Sequence, residues 1–164
     1  MASPSLTAAA AITAFGAGTL PAGSIIADTA RTIAANIDAL LPLANSGLLT
    51  GIALRNGGRP TMVVTPAQAT ADAAVLALVT SPYVMTQRLT AAQAAGPTLS
   101  AGFEGFGVWD TAANIAANLA DIEALWRTGT LNAVRLEDST PPPNFALSAA
   151  QVAANIDALR LIGS

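Results

Sequence analysis

The heptapeptide Ala34-Ala-Asn-Ile-Asp-Ala-Leu40 recurs unchanged as Ala153-Ala-Asn-Ile-Asp-Ala-Leu159, with a third relative at Ala116-Ala-Asn-Leu119. Outward from it the matches keep their order. Asp28-Thr29-Ala30 returns as Asp110-Thr111-Ala112, 82 residues later. Gly47, Leu49, Ile52 and Leu54 fall at that offset on Gly129, Leu131, Val134 and Leu136. Leu6-Thr7-Ala8-Ala9 falls on Leu89-Thr90-Ala91-Ala92, and Ala67-Gln68 on Ala150-Gln151, at an offset of 83. Alanine richness alone would not keep Asn, Asp, Gly and Gln aligned, so the chain reads as a tandem repeat. Copy one spans 6–88 and copy two spans 89–164, within a single repeat domain over 1–164. The short link from Arg88 to Thr90 has no flexible run, which favours one domain over two.

Each copy divides again. Helix openings at Asp28, Thr65, Asp110 and Ser148 follow one another at a solenoid-like period of about 40 residues. From Asp28 to Ala44 the apolar residues Ile33, Ile37, Leu40, Leu41 and Ala44 share one helical face. Asp28 and Asp110 are the expected N-caps, and Gly47 and Gly129 follow the helix ends. Shorter helices open at Thr65-Pro66 and at Ser148. Leu49–Leu54 followed by Asn56-Gly57-Gly58 reads as a strand and a turn, with Met62–Val64 as a second strand. Copy two reads likewise over Leu131–Leu136 and Phe145–Leu147. Tyr83–Leu89 and Phe103–Trp109 are further strand candidates. The expected fold is α/β: a solenoid-like stack of helix-strand-strand units in two tandem copies of about 83 residues.

Composition bounds the function. The 164 residues are 52% apolar but only 4% aromatic and 10% charged, so alanine must pack through close backbone approach. All seven basic residues are Arg, and with ten acids the net charge is −3. That argues against a nucleic-acid partner, which needs clustered basic groups. No stretch reads as a membrane span, and Met1–Ala27 lacks the positive start of a secretory signal. With no His and no Cys, histidine-based triads, thiol catalysis and most zinc sites are excluded.

The run Asp110-Thr-Ala-Ala-Asn-Ile-Ala-Ala-Asn-Leu119, the Gly-x-Leu-x-x-Val-x-Leu pattern from Gly129 to Leu136, and the Leu-Ser/Thr-Ala-Ala-Gln helix start resemble repeats of very large bacterial surface or secreted proteins. These look like adhesin-type and calcium-binding-toxin-like chains, in which such units occur in long arrays. The resemblance covers nearly the whole chain and implies a structural or adhesive repeat module rather than an enzyme. Glycine- and aspartate-rich calcium nonapeptides are absent from this sequence.

Candidate chemistry is thin. Glycines 102–107 lack the lysine and spacing of a phosphate loop, and read as a strand bend. Asp121 and Glu123 lie two apart on a helix and read as a solvated face. Glu137-Asp138 is the candidate calcium pair, since hard cations take clustered oxygens. Trp109, Trp126 and Tyr83 read as packing anchors. Asn36, Asn118 and Asn155 each follow a β-branched core position by three residues. They are expected to form a ladder, bonding backbone groups of a neighbouring unit.

Copy two stops at Ser164, where copy one continues into Pro82–Arg88. The vacancy suggests head-to-tail self-assembly, with the N-terminal Ser3, Pro4 and Leu6 of one chain meeting the Ile162 end of another. The alternative is a segment of a longer array. Taken together, the sequence points to a non-enzymatic structural protein of the cell surface or extracellular matrix. The alternative function is a calcium- or ligand-binding adhesion module from a longer secreted adhesin.

Overall fold

The computed structural model describes residues 5–138 and 145–162. The protein is an α/β chain built from two compact units, Met1–Val84 and Met85–Ser164. The expected copy boundary after Arg88 falls inside a strand of the second unit.

In the first unit, β1 (Ser5–Leu6), β2 (Ser24–Asp28) and β3 (Leu49–Leu54) form a parallel sheet in that order. Parallel neighbours need a crossover. α1 (Ala8–Gly16) joins β1 to β2, and the pair α2 (Ala30–Ala35) and α3 (Ile37–Asn45) joins β2 to β3. The register sets Ile26 against Ile52 and Asp28 against Leu54. After β3 come β4 (Thr61–Val64), α4 (Pro66–Ala71) and α5 (Ala73–Ala77), and Val79 then bridges Ile52. The strand over Leu49–Leu54 is where the sequence placed it, but it pairs with β2, which the sequence reading missed. Ile26, Ile33, Ile37, Leu40, Leu43, Ile52, Met62, Val64 and Val75 are fully buried, each worth roughly 1.5–3 kcal/mol of apolar transfer.

The second unit has β5 (Val84–Leu89), β6 (Phe106–Asp110) and β7 (Leu131–Leu136), again parallel. A 3-10 turn at Ala91–Ala94 occupies the first crossover. The pair α6 (Ala112–Ala117) and α7 (Leu119–Arg127) makes the second. Then come α8 (Ala149–Ala154) and α9 (Ile156–Arg160), after which Ile162 bridges Val134. Register irregularities fall between Ser24 and Ile25 in β2 and between Phe106 and Gly107 in β6, at the same offset of 82. Phe145–Leu147 is not a strand. Among the described residues no helix is long and apolar enough to cross a membrane.

Two expectations about the helices need correction. The caps are Thr29 and Thr111, not the aspartates before them; each hydroxyl accepts from the amide three residues on, Thr32 at 3.1 Å and Asn114 at 3.3 Å. Asp28 and Asp110 are instead the last residues of β2 and β6, held in the strand by pairing with Leu54 and Leu136. The long helix expected from Asp28 to Ala44 is also broken, at Asn36. The same break occurs at Asp72, Asn118 and Asn155, each time after a six-residue first segment. The break residues sit near φ −115°, −101°, −113° and −129°, with ψ between 13° and 28°. That bridge region is sparsely populated, and short polar side chains that bond locally suit it.

Candidate functional site

The polar chemistry of the chain gathers where strands end and helices begin. Leaving β2, Asp28 directs Oδ1 at the amide of Thr29 (2.8 Å) and Oδ2 at the amide of Ala8 (3.0 Å), the first residue of α1. Leaving β6, Asp110 accepts from Thr111 (2.8 Å) and from Ala91 (3.0 Å), which opens the 3-10 turn. One strand further on in each unit, the next side-chain oxygen repeats the arrangement. Asn56 Oδ1 accepts from Ala30 at 2.7 Å, and Asp138 Oδ2 accepts from Ala112 at 2.7 Å. Each strand-end oxygen thus caps the helix that follows the neighbouring strand. The first amides of a helix have no internal partner and carry partial positive charge, so an oxygen there satisfies a donor and complements the helix dipole.

Burial pushes the carboxyl of Asp28 up, but hydrogen bonds from Ala8, Thr29 and Thr32 and the charge of Arg55 outweigh it and hold the group below the usual carboxylate range. For Asp110, burial is likewise outweighed by Asn114, Ala91, Thr111 and the charge of Arg88.

The candidate calcium pair is already engaged. Glu137 Oε1 pairs with Arg88 at 2.6 Å, and Asp138 caps α6. Among the described residues no three metal-ligating side chains come together. Asp121 is exposed, as the solvated-face reading has it, but Glu123 is not. Glu123 is 3% exposed, accepting from the Ala158 amide at 2.9 Å and pairing with Arg127 at 3.2 Å. It supplies a cap that α9 does not obtain from Asn155, its own N-cap residue. Trp109 lies between two guanidinium groups, Arg88 and Arg135, each 5.0 Å from its ring centre. Trp126 is exposed and Tyr83 half-buried. Ser3 and Pro4 lie outside the described residues, Leu6 belongs to β1, and Ile162 packs on the core of its own unit.

The asparagine ladder takes a different form from the expected one. Asn36, Asn118 and Asn155 each donate Nδ2 to the carbonyl four residues earlier in the same helix pair (Thr32, Asn114 and Gln151), at 2.8 Å in every case. They reach no neighbouring unit through this bond; they close the break in their own helix. Asn118→Ala should therefore cost about 1 kcal/mol, the net worth of one such bond, in chemical denaturation. An unchanged midpoint would show the bond to be idle.

Sequence reasoning found Asp28 and Asp110, but missed Asn56 and gave Asp138 another role. The signal was present: both copies place a short oxygen-bearing side chain 28 residues after the first aspartate.

No known protein family, curated protein or solved structure matches the chain.

Proposed function

We propose that the protein is a non-enzymatic structural repeat protein whose two sequence copies stack as a solenoid, and that copies of the chain associate head-to-tail at a bacterial surface or in an extracellular matrix. The observation that carries this reading is the set of strand-end caps at Asp28, Asn56, Asp110 and Asp138. The side chains best suited to chemistry are spent on joining one strand-helix step to the next, as a repeat needs when no step buries its own face.

Two features support association. Among the described residues, β1 has a strand on one side only in the first sheet, which leaves its other edge open to pairing. In the second unit α8 buries none of its residues, and Val152 and Ile156 are 37% and 40% exposed. A heterologous contact of this kind grows into a filament or closes into a ring. Electron microscopy and sedimentation of the purified chain test it. Regular assemblies lost on deleting residues 1–6 are the expected result; a monomer at high concentration would sink the reading.

A further inference from the structure

Three of the four helix breaks are closed by an amide that donates back to its own helix, from Asn36, Asn118 and Asn155. The fourth break is filled by an acid. Asp72 is 1% exposed, and its Oδ2 is buried without a hydrogen-bond partner. An ionised carboxylate only accepts. A position that elsewhere takes a donor is therefore filled by a group that donates only when it carries a proton. The group facing it is a second carboxylate, Asp38 of α3. Gln68 Nε2 holds Asp38 at 3.2 and 3.4 Å from its two oxygens, while Gln68 Oε1 accepts from the Thr65 amide at 3.1 Å. Thr65, Gln68 and Asp38 thus form one connected chain of polar groups linking α3 to α4, with the Asp72 carboxyl facing its Asp38 end.

We propose that the buried Asp72 carries a proton that it donates to Asp38, an acid-closed latch that fastens α4–α5 to α3. With the proton in place, Asp72 donates across to Asp38, and the buried carboxyl gains the partner that it otherwise lacks. Without it, two carboxylates face each other, and one of them, Asp72, is buried. Among the described residues no other charge acts on Asp72. Asp38 is the single titratable side chain on α3, and α4, α5 and β4 carry none; Arg31 of α2 is exposed and does not act on Asp72. A cation is a poor substitute for the proton, because Gln68 presents a donor to Asp38 and its oxygen is already used by Thr65.

Burial above all, then the hydrogen bond and charge of Asp38, push the Asp72 carboxyl above its ordinary 3.8. A raised carboxyl stabilises the fold fully below that ordinary value, and the contribution is lost as pH rises through the raised one. The second unit is a built-in control: position 155 is Asn and position 120, which matches Asp38, is Ala.

Amide hydrogen exchange of the full chain, corrected for intrinsic rate, tests the latch at about pH 3.5 and about pH 7. Residues 66–77 should be several-fold better protected at the lower pH. Residues 149–160 should not respond. Asp72→Asn should protect residues 66–77 at both pH values and remove the difference. The proposal is overturned by equal protection in the wild type, by a pH effect that survives Asp72→Asn, or by calcium restoring protection at neutral pH. If the variant does not fold, carboxyl-carbon NMR of the wild type decides: a midpoint for Asp72 at or below 3.8 overturns the latch.

Discussion

Asp110→Ala should destabilise the chain by about 2–3 kcal/mol, seen as a drop in melting temperature of roughly 10 °C or more in the second unit. One substitution removes the acceptor for Ala91, for Thr111 and for the Asn114 side chain. A lost cap costs about 1 kcal/mol, and the two amides are left partly buried with nothing to accept them. Asp28→Ala should do the same in the first unit, where Ala8 and Thr29 lose their partner. Asn at either position should fall between, because one carboxylate oxygen becomes a donor facing an N–H. The sign with pH is fixed: both carboxyls sit below 3.8 in the folded chain. Their contribution is present above the ordinary value and fades as pH falls through the depressed one. The wild type and Asp110→Ala should therefore converge only in that acid window. A loss below about 0.5 kcal/mol at neutral pH would show that the strand-end caps do not join one strand-helix step of a unit to the next.

Gly105→Ala should be at least as damaging, by about 3 kcal/mol. A methyl there would stand 2.7 Å from the carbonyl oxygen of Thr130 and 2.5 Å from the Asn132 side-chain nitrogen. The asparagine can turn aside only by giving up its bond to Thr86 at 2.9 Å. The Thr130 carbonyl cannot move cheaply, since it accepts from Phe106 at 2.7 Å at the start of β6. Gly57→Ala is the natural comparison: nothing lies within 4 Å of an added methyl, and a change within about 0.5 kcal/mol is expected. Equal melting of the two variants would mean that β6 and β7 approach less closely than described.

Some of this was legible in the residues and some was not. The strands at Leu49 and Leu131 and the helices after Asp28 and Asp110 announce themselves, because Ile and Leu recur with clear spacing. α1 does not. Ala8–Gly16 is mostly alanine, whose small side chain gives helical propensity without a face. β2 is five residues long and begins with a buried serine, too short and mixed for a period to show. The breaks were hidden for another reason: an asparagine inside an apolar helix pattern reads equally as a surface residue or an interior donor. Only the backbone angles at Asn36 and its counterparts separate the two. The same ambiguity made Glu137 and Asp138 resemble an ion site. Adjacent acids mark a cation as readily as they mark an Arg partner and a helix cap, and Arg88 and Ala112 are distant in sequence.

The strand-end caps also decide where the chain tolerates change. In both units the capping oxygen comes within two residues of the strand end, at Asn56 after β3 and at Asp138 after β7. Past that point the offset between matching residues slips from 82 to 83, between Asp138 and Gln151. The strand and the helix cap that follows it are thus in place before this slip, and extra residues there add only a slowly growing closure entropy. The stretch around Gly57 and Gly58 is by the same logic a natural insertion port, where a foreign peptide can be displayed while the strands on either side keep their register.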